Sequence, residues 1–249
     1  MKLIRKWLTS IAKRLFWKEH QQNAIKQIES TRNELVSRDM FIVAPLLFKG
    51  EGYFRSMEAK QNLSEFLPLA DALDKITLDN VCEIGTHKGG TLFIWCQLAA
   101  SDANVFSIDL PGGDFGGGYT ARSVPFFQSF KKPGQQLHLL RGNSHSSEMK
   151  KEFTDKLNGQ KLDFILIDGD HTYDGVKQDF DDYAGFVREG GIIAFHDIVV
   201  RPEYPHIEVW RFWDEIKEKY KYEEFIETGT SRRTIGIGMI YQNSSSITE

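Results

Sequence analysis

Residues 80–109, NVCEIGTHKGGTLFIWCQLAASDANVFSID, contain two short apolar runs on either side of a longer helical pattern. The runs NVCEIG (80–85) and NVFSID (104–109) have the length and composition of buried strands. A glycine-containing turn follows the first run, and residues 89–100 continue as a candidate helix. The stretch therefore predicts a strand, a crossover helix and a second strand parallel to the first.

The same alternation of strands and helices continues along the chain. Its repetition specifies a largely parallel sheet covered by helices on both faces. The further strand candidates are 136–141, 162–167 and 191–196, and the helical candidates are 120–131, 145–157, 173–188 and 207–220. Two extended runs, 223–228 and 234–241, predict an antiparallel pair at one edge. We therefore predict an α/β fold with a Rossmann-like, doubly wound, mostly parallel sheet, an antiparallel C-terminal hairpin and a helical N-terminal extension.

The net charge of −4 on 249 residues conceals an uneven distribution. Residues 1–18 contain six basic residues and no acidic one. Of the 31 basic residues, 31 − 6 = 25 remain in the rest of the chain against 35 acidic residues, a net charge of −10. An acidic body disfavours a broad nucleic-acid surface, so we expect no nucleic-acid partner.

The basic segment 1–18 also has the pattern of an amphipathic helix. One face carries Ile4, Trp7, Leu8, Ile11 and Leu15, at the spacing of successive helical turns. Such a helix suits peripheral contact with an anionic membrane surface. The equal alternative is packing on the body of the protein or on a second subunit of a homo-oligomer. No run approaches the roughly 20 apolar residues of a membrane span, so we expect a cytoplasmic protein. If residues 1–18 contact a membrane surface, this protein would be membrane-associated.

Polar and glycine-rich residues follow each predicted parallel strand, where ligands bind in open sheets of this kind. The first exit, Glu83–Gly90, has glycines at G-x-x-x-G-G, which differs from the G-x-G-x-x-G of nicotinamide-binding folds. Asp109 ends the second strand at the distance expected of a carboxylate that accepts hydrogen bonds from ribose hydroxyls. The alternative for Asp109 is a turn or helix cap. His145, after the third strand, is interpreted as an ordinary helix-start residue.

The fourth and fifth strands end in Asp168-Gly-Asp170-His171 and in His196-Asp197. Neighbouring parallel strands lie about 5 Å apart, so carboxylates at both ends converge on a point where one divalent ion would bind. Such an ion would polarise a substrate hydroxyl. In the alternative interpretation, Asp170 and His171 only cap the helix that begins near Tyr173.

Five segments carry a resemblance to class I S-adenosylmethionine-dependent methyltransferases, which extends from about residue 80 to residue 240. They are EIGTHKGGT (83–91), SIDLPGGDFGGGY (107–119), LLRGNSHS (139–146), DFILIDGDHTYDGVKQD (163–179) and GGIIAFHDI (190–198). Within this superfamily, the sequence of these segments resembles the group that includes cephalosporin hydroxylase/methyltransferase-type proteins and metal-dependent macrolide sugar O-methyltransferases. This resemblance implies that Glu83 and Gly85 flank the methionine part of S-adenosylmethionine, Asp109 the ribose, and Asn143 and Ser144 the adenine. Thr86, Gly89 and Asp168 complete the implied cofactor-binding set.

The same resemblance implies the catalytic residues. His171 corresponds to a general base, with Asp168 beside it, and its ordinary pKa near 6.5 suits the removal of a hydroxyl proton. Asp168 and Asp197 correspond to metal ligands, and His196 stands where an acidic ligand is usual. Because imidazole is a poorer partner for Mg²⁺ than carboxylate, the identity of the metal stays open.

We therefore predict an S-adenosylmethionine-dependent O-methyltransferase that acts on a hydroxyl, for example of a sugar in a glycan or of a secondary metabolite. Residues 1–59 would form the helical extension and residues 60–249 the methyltransferase domain. Two alternatives remain at this point. One is an NAD-dependent oxidoreductase, disfavoured by the glycine spacing, and the other is a non-catalytic cofactor-binding protein recruited to a membrane.

Overall fold

Seven strands form one sheet in the computed structural model. The structure describes residues 18–19, 21–26, 28–29, 57, 59–113, 117–227 and 234–243. The strands are β1 (Asn80–Ile84), β2 (Asn104–Asp109), β3 (Gln136–Arg141), β4 (Leu162–Ile167), β5 (Val187–His196), β6 (Lys221–Phe225) and β7 (Ile237–Tyr241). Their order across the sheet is β3-β2-β1-β4-β5-β7-β6.

In the part of the chain that the structure describes from residue 59 onward, six α-helices connect or precede the strands. They are α1 (Leu63–Leu73), α2 (Gly90–Leu98), α3 (Val124–Gln128), α4 (Ser147–Leu157), α5 (Tyr173–Tyr183) and α6 (Val209–Ile216). Residues 21–26 are also helical. Two helices begin at polar caps that the sequence supplies, because Ser146 Oγ accepts from the backbone N–H of Met149 and Thr172 Oγ1 accepts from that of Gly175.

The parallel part of the sheet has a switch point at its centre. β1 lies at the centre, with β2 and then β3 on one side of it. β4, the next strand along the chain, pairs with β1 on the opposite side. β5 extends this side in parallel, and β7 and β6 add an antiparallel edge. Reversal of the strand order between β1 and β4 opens a crevice at the carboxyl ends of the strands.

The sheet is buried on both faces, which explains why its central strands are apolar throughout. Every residue of β1 and β4 is buried. Helices α1, α2 and α3 cover one face, where Phe66 stacks on Trp95 with ring centroids 5.2 Å apart. Helices α4, α5 and α6 cover the other face, where Phe153 and Trp213 are fully buried.

The structure confirms the predicted fold class and most of the predicted elements. β2, β3 and β4 have the predicted bounds, whereas β5 begins four residues earlier than expected, at Val187. The predicted helix 120–131 is a 3-10 turn followed by the five residues of α3. Its end coincides with a hydrogen bond from the Ser129 hydroxyl back to the carbonyl of Phe126, at 2.6 Å, which competes with continued helix.

The N-terminal predictions fall mostly outside the described residues. Of the basic segment 1–18, the structure describes Lys18 alone. No helix in the described part of the chain is both long enough and apolar enough to cross a membrane.

Candidate active site

A cavity of about 770 Å³ lies at the carboxyl ends of the parallel strands. Its volume falls within the roughly 300–1,000 Å³ of small-molecule sites. Each of the five parallel strands contributes to its wall. The contributing residues are Ile84 and Gly85 from β1, Ile108 and Asp109 from β2, Gly142–His145 after β3, Asp168–His171 after β4, and His196 and Asp197 from β5.

Three predicted cofactor residues do not line this cavity. Glu83 is fully buried, and its Oε2 accepts a hydrogen bond from Trp95 Nε1 at 2.7 Å. Burial raises the pKa of Glu83 to about 8, although hydrogen bonds from Thr91, Thr86 and Trp95 oppose the rise. The Thr86 hydroxyl lies 2.7 Å from the hydroxyl of Ser107, below the cavity wall. Glu83 and Thr86 therefore form a polar network that supports the wall from behind.

Gly89 is the third of these residues, and its role is packing. Its φ of +76° starts α2 in a left-handed conformation, and a Cβ at this position would lie 2.8 Å from the ring of Phe127. Gly85, which does line the cavity, has a φ of +91°, and a Cβ there would overlap the carbonyl oxygen of Asp168. The two glycines thus allow close packing of the turn against α3 and β4.

The Asp109 carboxylate is oriented at the cavity wall by backbone donors. Its Oδ2 accepts from the backbone N–H groups of His87 at 2.9 Å and Tyr119 at 3.2 Å. Burial raises the pKa of Asp109 above its ordinary value, and these donors oppose the rise. A Cβ on Gly118 would lie 2.5 Å from the Leu110 carbonyl oxygen and 2.7 Å from Asp109 Oδ1, so glycine allows the backbone to approach the carboxylate closely.

Asp168 and His196 bring the ends of β4 and β5 together. His196 Nδ1 lies 3.1 Å from Asp168 Oδ1, and Gln61 Nε2 donates to Asp168 Oδ2 at 2.9 Å. Burial alone would lower the pKa of His196, but the negative charges of Asp168 and Asp197 raise it to about 9. The two carboxylates thus favour the protonated form of His196 beside Asp168.

The Asp197 carboxylate in the cavity wall is held by His171 and Arg201. His171 Nδ1 lies 2.6 Å from Asp197 Oδ2, and Arg201 binds the other oxygen of the same carboxylate. Burial alone would raise the pKa of Asp197. The neighbouring His196, His171 and Arg201 oppose this effect, and the resulting pKa lies well below its ordinary value. Asp197 is thus an anion whose backbone adopts an uncommon φ of +66°, a conformation often found at functional sites.

The structure separates the two interpretations of the Asp170-His171 pair. Thr172 is the N-cap of α5, and Asp170 Oδ1 accepts from the Thr172 backbone N–H at 2.9 Å. The His171 ring takes no part in this capping. Instead, it faces Asp197 and lines the cavity, with Nε2 at 3.8 Å from Asp168 Oδ1.

Sequence reasoning missed three residues of this region. His145, interpreted as an ordinary helix-start residue, lines the cavity and pairs with Asp179 at 3.1 Å. Arg201 and Gln61 contact the two central carboxylates. The spacing of Arg201, four residues after Asp197, is the one local signal that was available.

Comparisons with known proteins agree with this geometry. A family model described as a methyltransferase domain matches residues 82–198. A protein of Sinorhizobium fredii named y4gI is 29% identical over 142 residues, which are 55% of this chain and 15% of that protein. Protein R132 of Acanthamoeba polyphaga mimivirus is 30% identical over 141 residues, 52% of this chain and 55% of that protein. The chain therefore spans about a seventh and about half of these relatives.

Solved structures with the same fold include several O-methyltransferases. An O-methyltransferase from Bacillus cereus in complex with SAH has a TM-score of 0.53 at 14% identity, covering 86% of this chain and 96% of that one. TomG from Streptomyces achromogenes, in complex with SAM, has a TM-score of 0.55 at 14% identity, covering 90% and 99%. MycE, from the mycinamycin biosynthetic pathway, was solved with Mg, SAH and mycinamycin VI; its TM-score is 0.50 at 14% identity, covering 82% and 56%.

The strand order and the cavity at the strand ends define a Rossmann-like α/β protein of the methyltransferase type. Residues 82–198 are similar to the methyltransferase-domain family, and the chain has the fold of the solved S-adenosylmethionine-dependent O-methyltransferases. Of the three classes of protein considered from the sequence, the findings support the methyltransferase.

Proposed function

We propose that this enzyme transfers a methyl group from S-adenosylmethionine to a hydroxyl oxygen, with His171 as the proton acceptor. The observation that carries the proposal is the arrangement of His171, Asp197 and Arg201 in the wall of the strand-end cavity. His171 Nδ1 lies 2.6 Å from Asp197 Oδ2, which favours a proton on Nδ1 and leaves Nε2 as the acceptor. The fold similarity to O-methyltransferases supports the choice of an oxygen acceptor.

The cofactor position in this proposal follows from the residues of the cavity wall. Asp109 would accept hydrogen bonds from the ribose hydroxyls, because its carboxylate is already oriented by the backbone of His87 and Tyr119. Asn143 and Ser144 would contact the adenine, and Gly85 would lie beside the methionine part. Glu83, Thr86 and Gly89 would act from behind the wall, through the contacts described above.

S-adenosylmethionine supplies an electrophilic methyl group on a sulfonium centre. The chain contributes orientation and proton removal, because methyl transfer is an in-line displacement. The acceptor oxygen forms the new C–O bond as the C–S bond breaks, and its proton passes to His171 Nε2. Burial alone would lower the pKa of His171, but its contact with Asp197 and the charge of Asp168 raise it above the ordinary value. Asp197 would then stabilise the protonated imidazole, while Arg201 holds the carboxylate in place.

A divalent metal ion is the second component of the proposal. Asp168, His171 and Asp197 each offer one ligand atom, and these atoms lie within 4.8 Å of one another. The two carboxylates are the oxygen donors that hard divalent cations prefer, so the donor set fits Mg²⁺. Asp168 and Asp197 would hold the ion, and the ion would lower the pKa of an acceptor hydroxyl. His196, the third predicted ligand, contacts Asp168 through Nδ1 at 3.1 Å and lies outside this set of three residues.

Chelation tests the metal component separately. Activity would be measured after EDTA treatment and after addition of Mg²⁺, Mn²⁺ or Ca²⁺. Loss in EDTA and recovery with an ion would support the metal. Full activity in EDTA would reject it and would assign charge compensation of the two carboxylates to Arg201 and His196, which already contact them.

A saccharide acceptor, in a glycan or a secondary metabolite, remains part of the proposal. Its support is the aromatic residue Tyr204 in the cavity wall, whose side chain is 42% exposed. The Tyr204 ring centroid lies 5.2 Å from the Arg201 guanidinium and 6.2 Å from the His206 ring. An aromatic ring in these surroundings offers an apolar face with polar groups beside it, which suits a sugar ring.

The experiment for the proposed function is a methyl-transfer screen. Isotope-labelled S-adenosylmethionine would be incubated with the enzyme and a panel of saccharides and hydroxylated metabolites, and products detected by mass. A product that carries the label on oxygen would support the proposal. Label transferred only to nitrogen or carbon acceptors would reject the oxygen acceptor. Membrane contact through residues 1–18 and homo-oligomer formation stay predictions.

A further inference from the structure

The turn that follows β3 forms one wall of the cavity and is held at both ends. Its residues Gly142–His145 all line the cavity. The Gly142 backbone N–H donates to the carbonyl of Asp109 at 2.9 Å, which ties the turn to β2. The His145 backbone N–H donates to Asn143 Oδ1 at 3.0 Å, which closes the turn on itself. Ser146 then caps α4.

Helix α5 holds the same turn from the other side by two contacts. His145 Nε2 lies 3.1 Å from Asp179 Oδ1, and the Tyr183 hydroxyl donates to the carbonyl of Ser144 at 2.8 Å. The Asp179 side chain is completely buried, whereas that of His145 is 18% exposed. A buried carboxylate without a cation is strongly unfavourable. In the described part of the chain, the cation that pairs with Asp179 is His145.

Three acidic residues act on the charge of His145. Asp179 and Asp182 lie on α5, and Asp170 lies in the loop before that helix. The contact with Asp179 raises the pKa of His145 above its ordinary value, burial opposes the rise, and the charges of Asp170 and Asp182 add to it. Lys150 on α4 lies 2.9 Å from Asp182 and belongs to a separate ion pair.

We propose that His145 is a positioning residue for the cofactor, whose ion pair with Asp179 fixes the turn 142–145 in the form that receives the adenine. The inference rests on the proposed function, because the adenine is placed there by that proposal. His145 acts through Asp179 and the backbone of the turn. When His145 loses its proton, the ion pair with Asp179 is lost. Of the two contacts between α5 and the turn described above, the hydrogen bond from Tyr183 then remains.

The sign of the pH dependence follows from this arrangement. The pair is fully formed below the ordinary histidine pKa of about 6.5 and is lost as the pH rises through the higher pKa of the folded protein. Cofactor affinity is therefore expected to fall with rising pH. The free energy of unfolding should lose the contribution of the pair in the same range.

The test is the affinity of the intact protein for S-adenosylhomocysteine, measured by calorimetry from about pH 6 to about pH 9, on both sides of the histidine pKa. The affinity of the wild type should fall by about tenfold over this range. At the acidic end, His145→Gln should bind S-adenosylhomocysteine about tenfold more weakly than the wild type, and its affinity should not depend on pH in this way. Asp179→Asn removes the same ion pair, so it should likewise weaken binding and lose that pH dependence. The double variant should be no weaker than His145→Gln, because both changes remove one interaction.

Lys151→Gln is the matched control, since it removes an exposed ion pair with Asp155 on the same helix, and it should keep the wild-type profile. Equal affinity and equal pH dependence in His145→Gln and wild type would overturn the inference. If His145→Gln does not fold, the pH profile of Asp179→Asn decides the question, and a wild-type profile in that variant overturns the inference. Absence of binding by the wild type would instead contradict the proposed function.

Discussion

Replacement of Asp109 separates cofactor binding from support of the fold. In Asp109→Asn, one side-chain oxygen remains to accept from the backbone N–H groups of His87 and Tyr119, so stability should stay close to wild type. The negative charge toward the ribose is lost. A hydrogen bond to a charged group contributes about 1.5–3 kcal/mol, which corresponds to about 10-fold to 150-fold in Kd.

Asp109→Ala removes the acceptor altogether. It should weaken binding at least as much and should also lower the free energy of unfolding by about 1–3 kcal/mol for each backbone donor left without a partner. Calorimetry with S-adenosylhomocysteine gives the affinity, and urea unfolding gives the stability. Asp155→Ala is the matched control, because Asp155 pairs only with exposed Lys151 among the ion pairs described. Affinity within twofold of wild type in both Asp109 variants would refute the ribose role.

Three further predictions concern catalysis, stability and the N-terminal segment. His171→Gln should leave S-adenosylhomocysteine affinity nearly unchanged and slow methyl transfer by about 10²-fold to 10⁴-fold, measured with an acceptor from the screen; unchanged turnover would exclude His171 as the base. Gly89→Ala should cost about 2–5 kcal/mol in urea unfolding, because it combines a left-handed φ with a clash against Phe127. Gly159→Ala, with a φ of +75° and open space around it, should cost only about 1–2 kcal/mol, and equal losses would remove the packing explanation. Removal of residues 1–18 should abolish flotation of the protein with anionic liposomes; equal flotation of both forms would reject the membrane contact.

The sequence predicts the sheet well because its central strands carry their information locally. β2, β3 and β4 occur at the predicted residues, since each is a short apolar run bounded by polar or glycine-rich turns. Elements whose bounds depend on distant partners deviate. β6 and β7 pair with each other and β7 pairs with β5, so their register follows the buried face of β7 rather than the local pattern.

The candidate site is predictable to the extent that it lies at strand ends. Asp109, Asp168 and Asp197 are found there because the topology of a parallel sheet brings these positions to one edge. The side-chain direction of Glu83 could not be predicted, because it depends on a hydrogen bond with Trp95 on α2. His145 was likewise missed because its partner, Asp179, is 34 residues away on a helix whose packing the sequence does not specify.

The most direct test of the central claim is a crystal structure of the enzyme with S-adenosylhomocysteine. The account predicts the ribose hydroxyls at the Asp109 carboxylate, the adenine beside the turn 142–145, and the sulfur on the side of the cavity where His171 lies. A ligand bound outside the cavity at the strand ends, or one with its ribose away from Asp109, would contradict it.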